Sequence, residues 1–204
     1  MITEEIAPGA FLLRGFALVG DKVLRSELAR IEAAAPFRHM VTPGGFRMSV
    51  AMTNCGAWGW IADRRGYRYE TRDPESGEQW PAMPPAFEVL ARSAAAASGF
   101  AEFTPDACLI NRYQPGAKLS LHQDKNERDY DQPIVSVSLG LGATFQFGGF
   151  ERTEPVARIR LEHGDVVVWG GPARLRYHGV LTLKAGTHPW LGSYRINLTF
   201  RRAA

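Results

Sequence analysis

The sequence predicts an α+β protein that is mainly β, with a double-stranded β-helix (jelly roll) as its core and N-terminal helices before it. After about residue 105, short β-rich runs follow one another, separated by turn residues such as Pro115–Gly116 and Gly148–Gly149. Before that point, two segments have the apolar periodicity of helices. Short strands at this spacing favour a sandwich or barrel over alternating βαβ units.

Length and composition predict a single domain over residues 1–204. The chain has 204 residues, 45% of them hydrophobic, which suits one sizeable core. No apolar run approaches the roughly 20 residues that span a bilayer, and the acidic start has no secretory signal. Cys55 and Cys108 form no disulfide framework, so both are expected to be buried thiols of a cytoplasmic protein. The net charge of +3 permits nucleic-acid binding without indicating it.

Two helices precede the β-rich region. The first is predicted over 21–35, where apolar residues recur at i, i+4 and i+7 before a proline. The second is predicted over 85–99, which begins with a proline and ends at a glycine. Between them, 37–84 is rich in Gly, Pro, Trp, Tyr and Arg and predicts hairpins and loops that cover one mouth of the core at 105–202.

The β-rich region contains seven predicted strands, each bounded by turn residues. Their sequences are DACLINRY, AKLSLHQ, IVSVSLG, ATFQFGG, RIRLEH, DVVVWGG and RINLTFRR. The last strand alternates, because its apolar side chains share one face while Arg195, Asn197, Thr199 and Arg201 share the other. The apolar face is suited to packing in the protein core. The polar face, taken by itself, favours an edge strand whose polar side chains contact solvent.

The stretch LHQDKNE, residues 121–127, raises the question of a metal site. In a strand, side chains i and i+2 point to the same face, so His122 and Asp124 can converge on one point. Candidates for a third ligand are His39, His163, His178 and His188. Of these, His178 follows the apolar strand DVVVWGG, which a jelly roll can bring beside an earlier strand. Two histidines and one carboxylate form the facial triad of non-haem iron(II), although zinc sites use similar ligands.

Beside such a triad, the polar face of the last strand has a second interpretation. Arg195 and Arg201 can hold a dicarboxylate through charge-assisted hydrogen bonds. Asn111 and Tyr113 form another i, i+2 pair that can line the same cavity. The co-substrate that this arrangement implies is 2-oxoglutarate.

These motifs resemble the signature of the Fe(II)/2-oxoglutarate-dependent dioxygenases and, more narrowly, the bacterial AlkB family that repairs alkylated nucleic acids. The resemblance covers about residues 8–202, and its matching stretches are MVTPGGFRMSVAMTNCG, PDACLINRYQPGAKLSLHQDK, IVSVSLGLGATFQFGG, LEHGDVVVWGG and RINLTFR. It implies oxidative demethylation of N-alkylated bases such as 1-methyladenine and 3-methylcytosine. The reaction would use Fe(II), O₂ and 2-oxoglutarate and release formaldehyde, succinate and CO₂.

The resemblance also implies roles for individual residues. The implied Fe(II) ligands are His122, Asp124 and His178. The implied 2-oxoglutarate site is lined by Asn111, Tyr113, Arg195, Asn197, Thr199 and Arg201. Within it, Arg195 takes the distal carboxylate, while Arg201 and Asn111 lie near the end that chelates iron. The implied partners are single-stranded and double-stranded DNA, with RNA as an alternative, and no membrane; the protein is expected to be a monomer.

The segment 58–72, WGWIADRRGYRYETR, interleaves aromatic residues with arginines. Aromatic faces stack on bases, and arginines bind phosphates. The resemblance implies a nucleotide-recognition lid in which Trp60 stacks on the damaged base while Tyr67, Arg68 and Tyr69 contact the neighbouring backbone. Arg152, after a glycine turn, would also reach the substrate. The alternative is a twisted hairpin whose aromatic residues pair across strands.

One position departs from the family pattern. Bacterial members place an acidic residue two positions after the ligand aspartate, where this chain has Asn126. An amide keeps hydrogen bonding but loses the negative charge that favours a cationic base. We therefore predict an altered preference between methylated adenine and cytosine, which the neighbouring Glu127 can partly offset. The alternatives to a base demethylase are a dioxygenase acting on a protein or small molecule and a non-enzymatic binding module with a structural metal.

Overall fold

Two antiparallel sheets form the core of the computed structural model, which describes residues 3–204. The strands are β1 Thr3–Ala7, β2 Ala10–Leu13, β3 Ala51–Gly56, β4 Gly59–Asp63, β5 Gly66–Glu70, β6 Ala107–Tyr113, β7 Leu119–His122, β8 Ile134–Gly140, β9 Ala143–Phe147, β10 Ala157–Leu161, β11 Val166–Trp169, β12 His178–Val180 and β13 Arg195–Arg201. The helices are α1 Asp21–Ala34 and α2 Pro85–Ala97, with short 3-10 turns at Leu18–Gly20 and Gly171–Ala173. The predicted mainly β jelly roll with helices before its core is confirmed.

The large sheet has seven strands in the order β1-β2-β11-β8-β13-β6-β3. Its interior strand β13 is fully buried and pairs with β6 and β8 along most of its length. The predicted alternation holds: Ile196, Leu198 and Phe200 pack in the cluster beneath the helices, while the polar side chains of β13 line an internal cavity. Because β13 has a neighbouring strand on each side and its polar side chains are buried, its interpretation as an edge strand wetted by solvent is excluded. Polar side chains buried in this way need partners inside the cavity.

The two helices cover the outer face of the large sheet. In α1, Leu24, Leu28 and Ile31 are buried, as the i, i+4, i+7 spacing predicts. The helix ends at Ala34 because the residue before Pro36 adopts an extended conformation. Helix α2 has Pro85 at its first position and is followed by Gly99 at a φ of +87°. Neither helix within residues 3–204 is long and apolar enough to cross a membrane.

The small sheet has four strands in the order β10-β9-β12-β7 and lies opposite the large sheet across the cavity. Strand β12 pairs with β7 so that His178 lies directly opposite His122. Aromatic residues of β9 pack between the sheets against Trp169, which closes the core on that side. The small sheet therefore brings the two histidines together from positions 56 residues apart in the sequence.

The segment between the helices is only partly peripheral. Strands β4 and β5 form a separate two-stranded hairpin, as expected for the lid. In contrast, β3 forms the edge of the large sheet and pairs with β6, where Cys55 and Cys108 lie opposite each other as buried thiols. The side chain of Asn54 in β3 bonds to the backbone N–H and C=O of Trp60, which fastens the hairpin to the sheet. The role of 37–84 as a lid stays a prediction.

Candidate metal centre and substrate cavity

Three potential metal ligands converge at the open end of the small sheet. His122 ends β7, Asp124 follows it by two residues and His178 begins β12. Their ligand atoms all lie within 4.8 Å of one another. Each histidine Nε2 is 3.6 Å from one of the carboxylate oxygens of Asp124. The structure thus brings together the predicted triad, and the part of the chain that it describes has no second cluster of this kind.

Both histidine rings are oriented by backbone carbonyls. The Nδ1 of His122 is 2.8 Å from the carbonyl oxygen of Ser120, and the Nδ1 of His178 is 3.1 Å from that of Arg176. A carbonyl only accepts, so each Nδ1 carries the hydrogen and donates it. The Nε2 lone pairs are left free and point toward Asp124, as metal ligation requires.

The protonation states of the triad also suit a cation. About a third of the His122 side chain (32%) reaches the open cavity, yet the dense protein around its ring and the neighbouring His178 lower its pKa to about 4. Burial favours the neutral form of Asp124, but Arg201 and the two histidines outweigh it and hold the pKa of Asp124 well below its usual range. At neutral pH, the site therefore offers a neutral His122 and a carboxylate.

Arg201 orients the aspartate. Its Nε and Nη2 donate to Oδ2 of Asp124 at 3.0 and 2.7 Å, and both side chains are buried. This paired contact leaves Oδ1 of Asp124 toward His122. Arg201 was expected at the end of 2-oxoglutarate that chelates iron, and the structure also gives it this contact with the ligand carboxylate.

The triad opens into a cavity of about 650 Å³ that runs between the two sheets. Arg195 lies in its wall with only 1% of its surface exposed, and burial lowers its pKa. One nitrogen donates to Ser138, while Nε and Nη1 have no hydrogen-bond partner, and no carboxylate lies within 4 Å among residues 3–204. A buried guanidinium without a counter-charge is costly. An anionic group entering this cavity would satisfy it.

The other residues predicted to bind 2-oxoglutarate all line the same cavity. They differ in whether their polar atoms already have hydrogen-bond partners. Tyr113 lies with its ring 5.0 Å from the Arg195 guanidinium, and Oδ1 of Asn111 is buried without a partner. Asn197 donates both amide hydrogens, to Ser136 and to the Val137 carbonyl, and accepts from Thr199. Asn197 and Thr199 therefore shape the wall, whereas Arg195 and Asn111 carry unsatisfied groups.

The cavity mouth is bordered by the hairpin of β4 and β5. Trp60 and Tyr67 stack with ring centroids 5.6 Å apart and planes inclined by 13°. The indole Nε1–H of Trp60 donates to Oδ1 of Asn126 at 3.2 Å. All three residues line the cavity, as does Arg152, whose guanidinium lies 5.3 Å above the ring of Tyr177. The hairpin is thus cross-strand paired and, at the same time, presents aromatic faces at the site.

Two lid residues do not lie where the resemblance implied. Arg68 projects from the other face of β5 and binds Asp63 through two hydrogen bonds and Glu70 through a third, so it is absent from the cavity wall. Tyr69 points inward, and its hydroxyl donates to Glu127 at 2.6 Å. Burial raises the pKa of Tyr69. The expected contacts of Arg68 and Tyr69 with the substrate backbone are not supported by these positions.

Glu127 belongs to a buried network that the sequence did not reveal. Its side chain is 2% exposed and binds Nη2 of Arg174 at 3.0 Å as well as Tyr69. Arg174 in turn donates to the backbone carbonyl of Asp124. The expectation that Glu127 can offset the missing charge at position 126 is wrong, because its carboxylate is already bound away from the cavity.

Several residues that line the cavity were not predicted from the sequence. Tyr177 precedes a metal ligand, and its place beneath Arg152 follows from strand pairing between distant segments. Arg47 and Lys118 line the mouth from loops that carry no periodic signal. His163, another candidate third ligand, lies in a turn away from the triad, with its Nδ1 accepting from the Gly140 N–H and its ring 4.5 Å from that of His188.

Comparisons with known proteins agree with this geometry. The family model of the 2OG-Fe(II) oxygenase superfamily matches residues 9–201. The alpha-ketoglutarate-dependent dioxygenase AlkB of Salmonella typhimurium is 60% identical over 98% of this chain and 93% of its own length. The protein of the same name from Escherichia coli is 58% identical over the same shares. The solved structure of OsALKBH1 is 30% identical, with a TM-score of 0.85 over 98% of this chain and 100% of its own.

Proposed function

We propose that this chain, which belongs to the 2OG-Fe(II) oxygenase superfamily and uses Fe(II), 2-oxoglutarate and O₂, removes N-methyl groups from damaged bases of DNA. The observation that carries the proposal is the convergence of an oriented His-Asp-His triad, an uncompensated buried arginine and a stacked aromatic pair on one cavity. The first two suit the cofactors of the family, and the third suits a nucleobase.

In this proposal, His122, Asp124 and His178 hold Fe(II). Each histidine presents Nε2 because its Nδ1–H donates to a backbone carbonyl, and Arg201 fixes the carboxylate. Together, the three residues would supply the facial set of ligands that suits an iron(II) ion which also binds its co-substrates. When bound, the iron and 2-oxoglutarate supply the O₂-dependent oxidation of a C–H bond.

For 2-oxoglutarate, Arg195 provides the two unsatisfied nitrogens that meet the distal carboxylate, with Tyr113 packed against the guanidinium. The amide of Asn111 lies in the same wall, with its oxygen unpaired. A charge-assisted contact at a buried arginine is worth about 1.5–3 kcal/mol, enough to select a dicarboxylate over a monocarboxylate.

For the base, Trp60 and Tyr67 provide stacking faces, and Arg152, Lys118 and Arg47 provide cations for phosphates near the mouth. The base must leave its stack to reach the triad, which costs least in a single strand. Single-stranded DNA is therefore the preferred substrate in this proposal, with double-stranded DNA and RNA as further ones. One chain supplies all the residues of the proposed site, so the proposed reaction needs no second copy.

In the proposed reaction, the N–CH₃ group of the base would be oxidised to N–CH₂OH while one O₂ and one 2-oxoglutarate are consumed and succinate and CO₂ are formed. The hydroxymethyl group then leaves as formaldehyde, and its hydroxyl proton goes to solvent as the base regains its lone pair. The chain positions the methyl group at the triad and excludes bulk water from the cavity.

The test uses a short single-stranded oligonucleotide that carries one 1-methyladenine. It is incubated with protein, Fe(II), ascorbate, O₂ and 2-oxoglutarate, and both the strand mass and succinate are measured. Loss of one CH₂ unit per succinate, absent with His178→Ala, is the expected result. Succinate without loss of the methyl group from methylated DNA or RNA would direct the search to proteins or small molecules. If neither succinate nor loss of the methyl group were observed although Fe(II) was bound, the enzymatic function would be refuted and a non-enzymatic binding module favoured.

A further inference from the structure

The only two cysteines of the chain face each other across neighbouring strands. Cys55 in β3 is the direct partner of Cys108 in β6, although the two lie far apart in the sequence. Directly opposite residues of an antiparallel pair have Cα atoms about 4.5–5.5 Å apart, and a disulfide needs a separation of about 4.4–6.8 Å. The backbone therefore already holds these residues within the range of a disulfide.

The thiol pair lies outside the cavity and is fully buried. Both side chains are 0% exposed and belong to the cluster beneath the helices, together with Phe87 and Phe200. Burial and the hydrogen bond with the Cys55 thiol raise the pKa of Cys108 well above its usual value, so this thiol stays protonated at neutral pH. A protonated, buried thiol exchanges poorly with bulky disulfides such as oxidised glutathione, because that exchange requires a thiolate.

The position of the pair in the sheet gives a small oxidant a route to it. Cys55 is the next-to-last residue of β3, and Cys108 is the second residue of β6. Strand β3 is an edge strand of the large sheet, so opening its end at Cys55 breaks strand pairing only with β6. Local opening costs least at such places. A small, uncharged oxidant such as hydrogen peroxide is therefore better suited to reach these thiols than a peptide disulfide.

We propose that Cys55 and Cys108 are a modification site, at which a two-electron oxidant of the peroxide class forms a disulfide that fixes the end of β3 to β6. Hydrogen peroxide transfers one oxygen atom to either sulfur as its O–O bond breaks, which gives a sulfenic acid and one water. The other thiol attacks the sulfenic sulfur, so that the S–S bond forms, the S–O bond breaks and the oxygen leaves as a second water with the thiol proton. Two thiols and one peroxide give one disulfide and two waters.

The disulfide would hold the strand to which the β4–β5 hairpin is fastened. The side chain of Asn54, next to Cys55, bonds to the backbone of Trp60 in the hairpin. Because both thiols lie on the face of the sheet beneath the helices, the new bond would link the strands behind the cavity without entering it. Opening of β3, and with it movement of the hairpin, should therefore become rarer in the oxidised chain.

The test treats the full chain with hydrogen peroxide in the presence of a chelator, which keeps redox-active iron from reacting with the peroxide. The wild type should lose both free thiols and the mass of two hydrogens, and digestion should give one peptide pair joined through Cys55 and Cys108 that dithiothreitol separates. Amide hydrogen exchange of β3 should slow in the oxidised chain and recover on reduction. Oxidised glutathione, used in place of peroxide, should leave the native chain unmodified.

Cys55→Ala and Cys108→Ala serve as controls, because each leaves one thiol without a partner. Under peroxide, each variant should form a sulfenic acid that dimedone traps, without slower exchange of β3. Three results in the wild type would overturn the proposal: both thiols retained, oxidation without the internal link, or the link without slower exchange of β3. If the variants do not fold, peptide mapping and hydrogen exchange of the wild type, oxidised and reduced again, decide between these outcomes.

Discussion

Glu127→Gln tests whether the buried network behind the triad contributes to stability. Glu127 and Arg174 are 2% and 3% exposed, and their charged atoms are 3.0 Å apart. The substitution keeps the size of the side chain but removes the negative charge. Arg174 would then be a buried cation without a counter-charge, with Arg201 as a second cation nearby.

The expected cost follows from these contacts. Breaking a buried ion pair costs about 3–5 kcal/mol when nothing else compensates. Arg174 keeps its hydrogen bonds to the carbonyls of Gln132 and Asp124, and glutamine retains one acceptor oxygen, so the lower end applies. We expect a loss of about 3 kcal/mol in the free energy of unfolding. For a chain of this size, the melting temperature should fall by about 6–12 °C.

Urea unfolding followed by circular dichroism measures the loss, with Glu151→Gln on an exposed loop as the matched control. The control should change the free energy of unfolding by less than about 0.5 kcal/mol. In an Arg174→Met background, the cost of Glu127→Gln should shrink by at least ~1.5 kcal/mol, because the unpaired cation is gone. Equal costs in both backgrounds, or a cost below about 1 kcal/mol, would refute the reasoning.

Three further predictions concern the cofactors and pH. Arg195→Met should weaken 2-oxoglutarate binding by about 10- to 100-fold, measured anaerobically by the visible absorption of the Fe(II) complex, while the exposed Arg158→Met should not. A chelator should abolish succinate formation, Fe(II) should restore it and Zn²⁺ should not, because zinc has no redox chemistry; restoration by Zn²⁺ would count against the triad as an iron site. In the metal-free protein, the pKa of His122 is held at about 4, below its unfolded value of about 6.5, so the unfolded state binds the proton first. Stability should therefore decrease as pH falls from about 6.5 toward 4, and His122→Asn should flatten this dependence; an unchanged slope would contradict the lowered pKa.

The parts of the site that the sequence predicted are those set by strand alternation. His122 and Asp124 share a face because they are two residues apart, and the same rule separates the cavity face of β13 from its packed face. His178 was one of four candidates for the third ligand, and a jelly roll can bring its late strand beside an earlier one; in the structure, His178 pairs with His122. The roles of these residues in binding cofactors stay predictions.

The parts that the sequence did not predict depend on partners far apart in the chain. Alternation places Tyr67 and Tyr69 on the same face of β5, but their neighbours differ: Trp60 stacks on Tyr67, and Glu127 binds Tyr69. The resemblance assigned Arg68 to the substrate, yet Asp63 on the facing strand binds its guanidinium. The hairpin of β1 and β2 at the other edge of the large sheet was also missed, because these strands are short and their pairing with β11 is not encoded locally.

The β4–β5 hairpin pairs with neither main sheet, and this independence makes it an exchangeable module. Three of the contacts that hold it to the rest of the chain are the Asn54 amide on the backbone of Trp60, the indole of Trp80 on the carbonyl of Glu70 and the hydroxyl of Tyr69 on Glu127. A transplanted hairpin that keeps these three contacts can change its outer residues without altering the strands that carry the triad. Selectivity for the base can therefore diversify, by evolution or by design, while the oxidation chemistry is inherited intact.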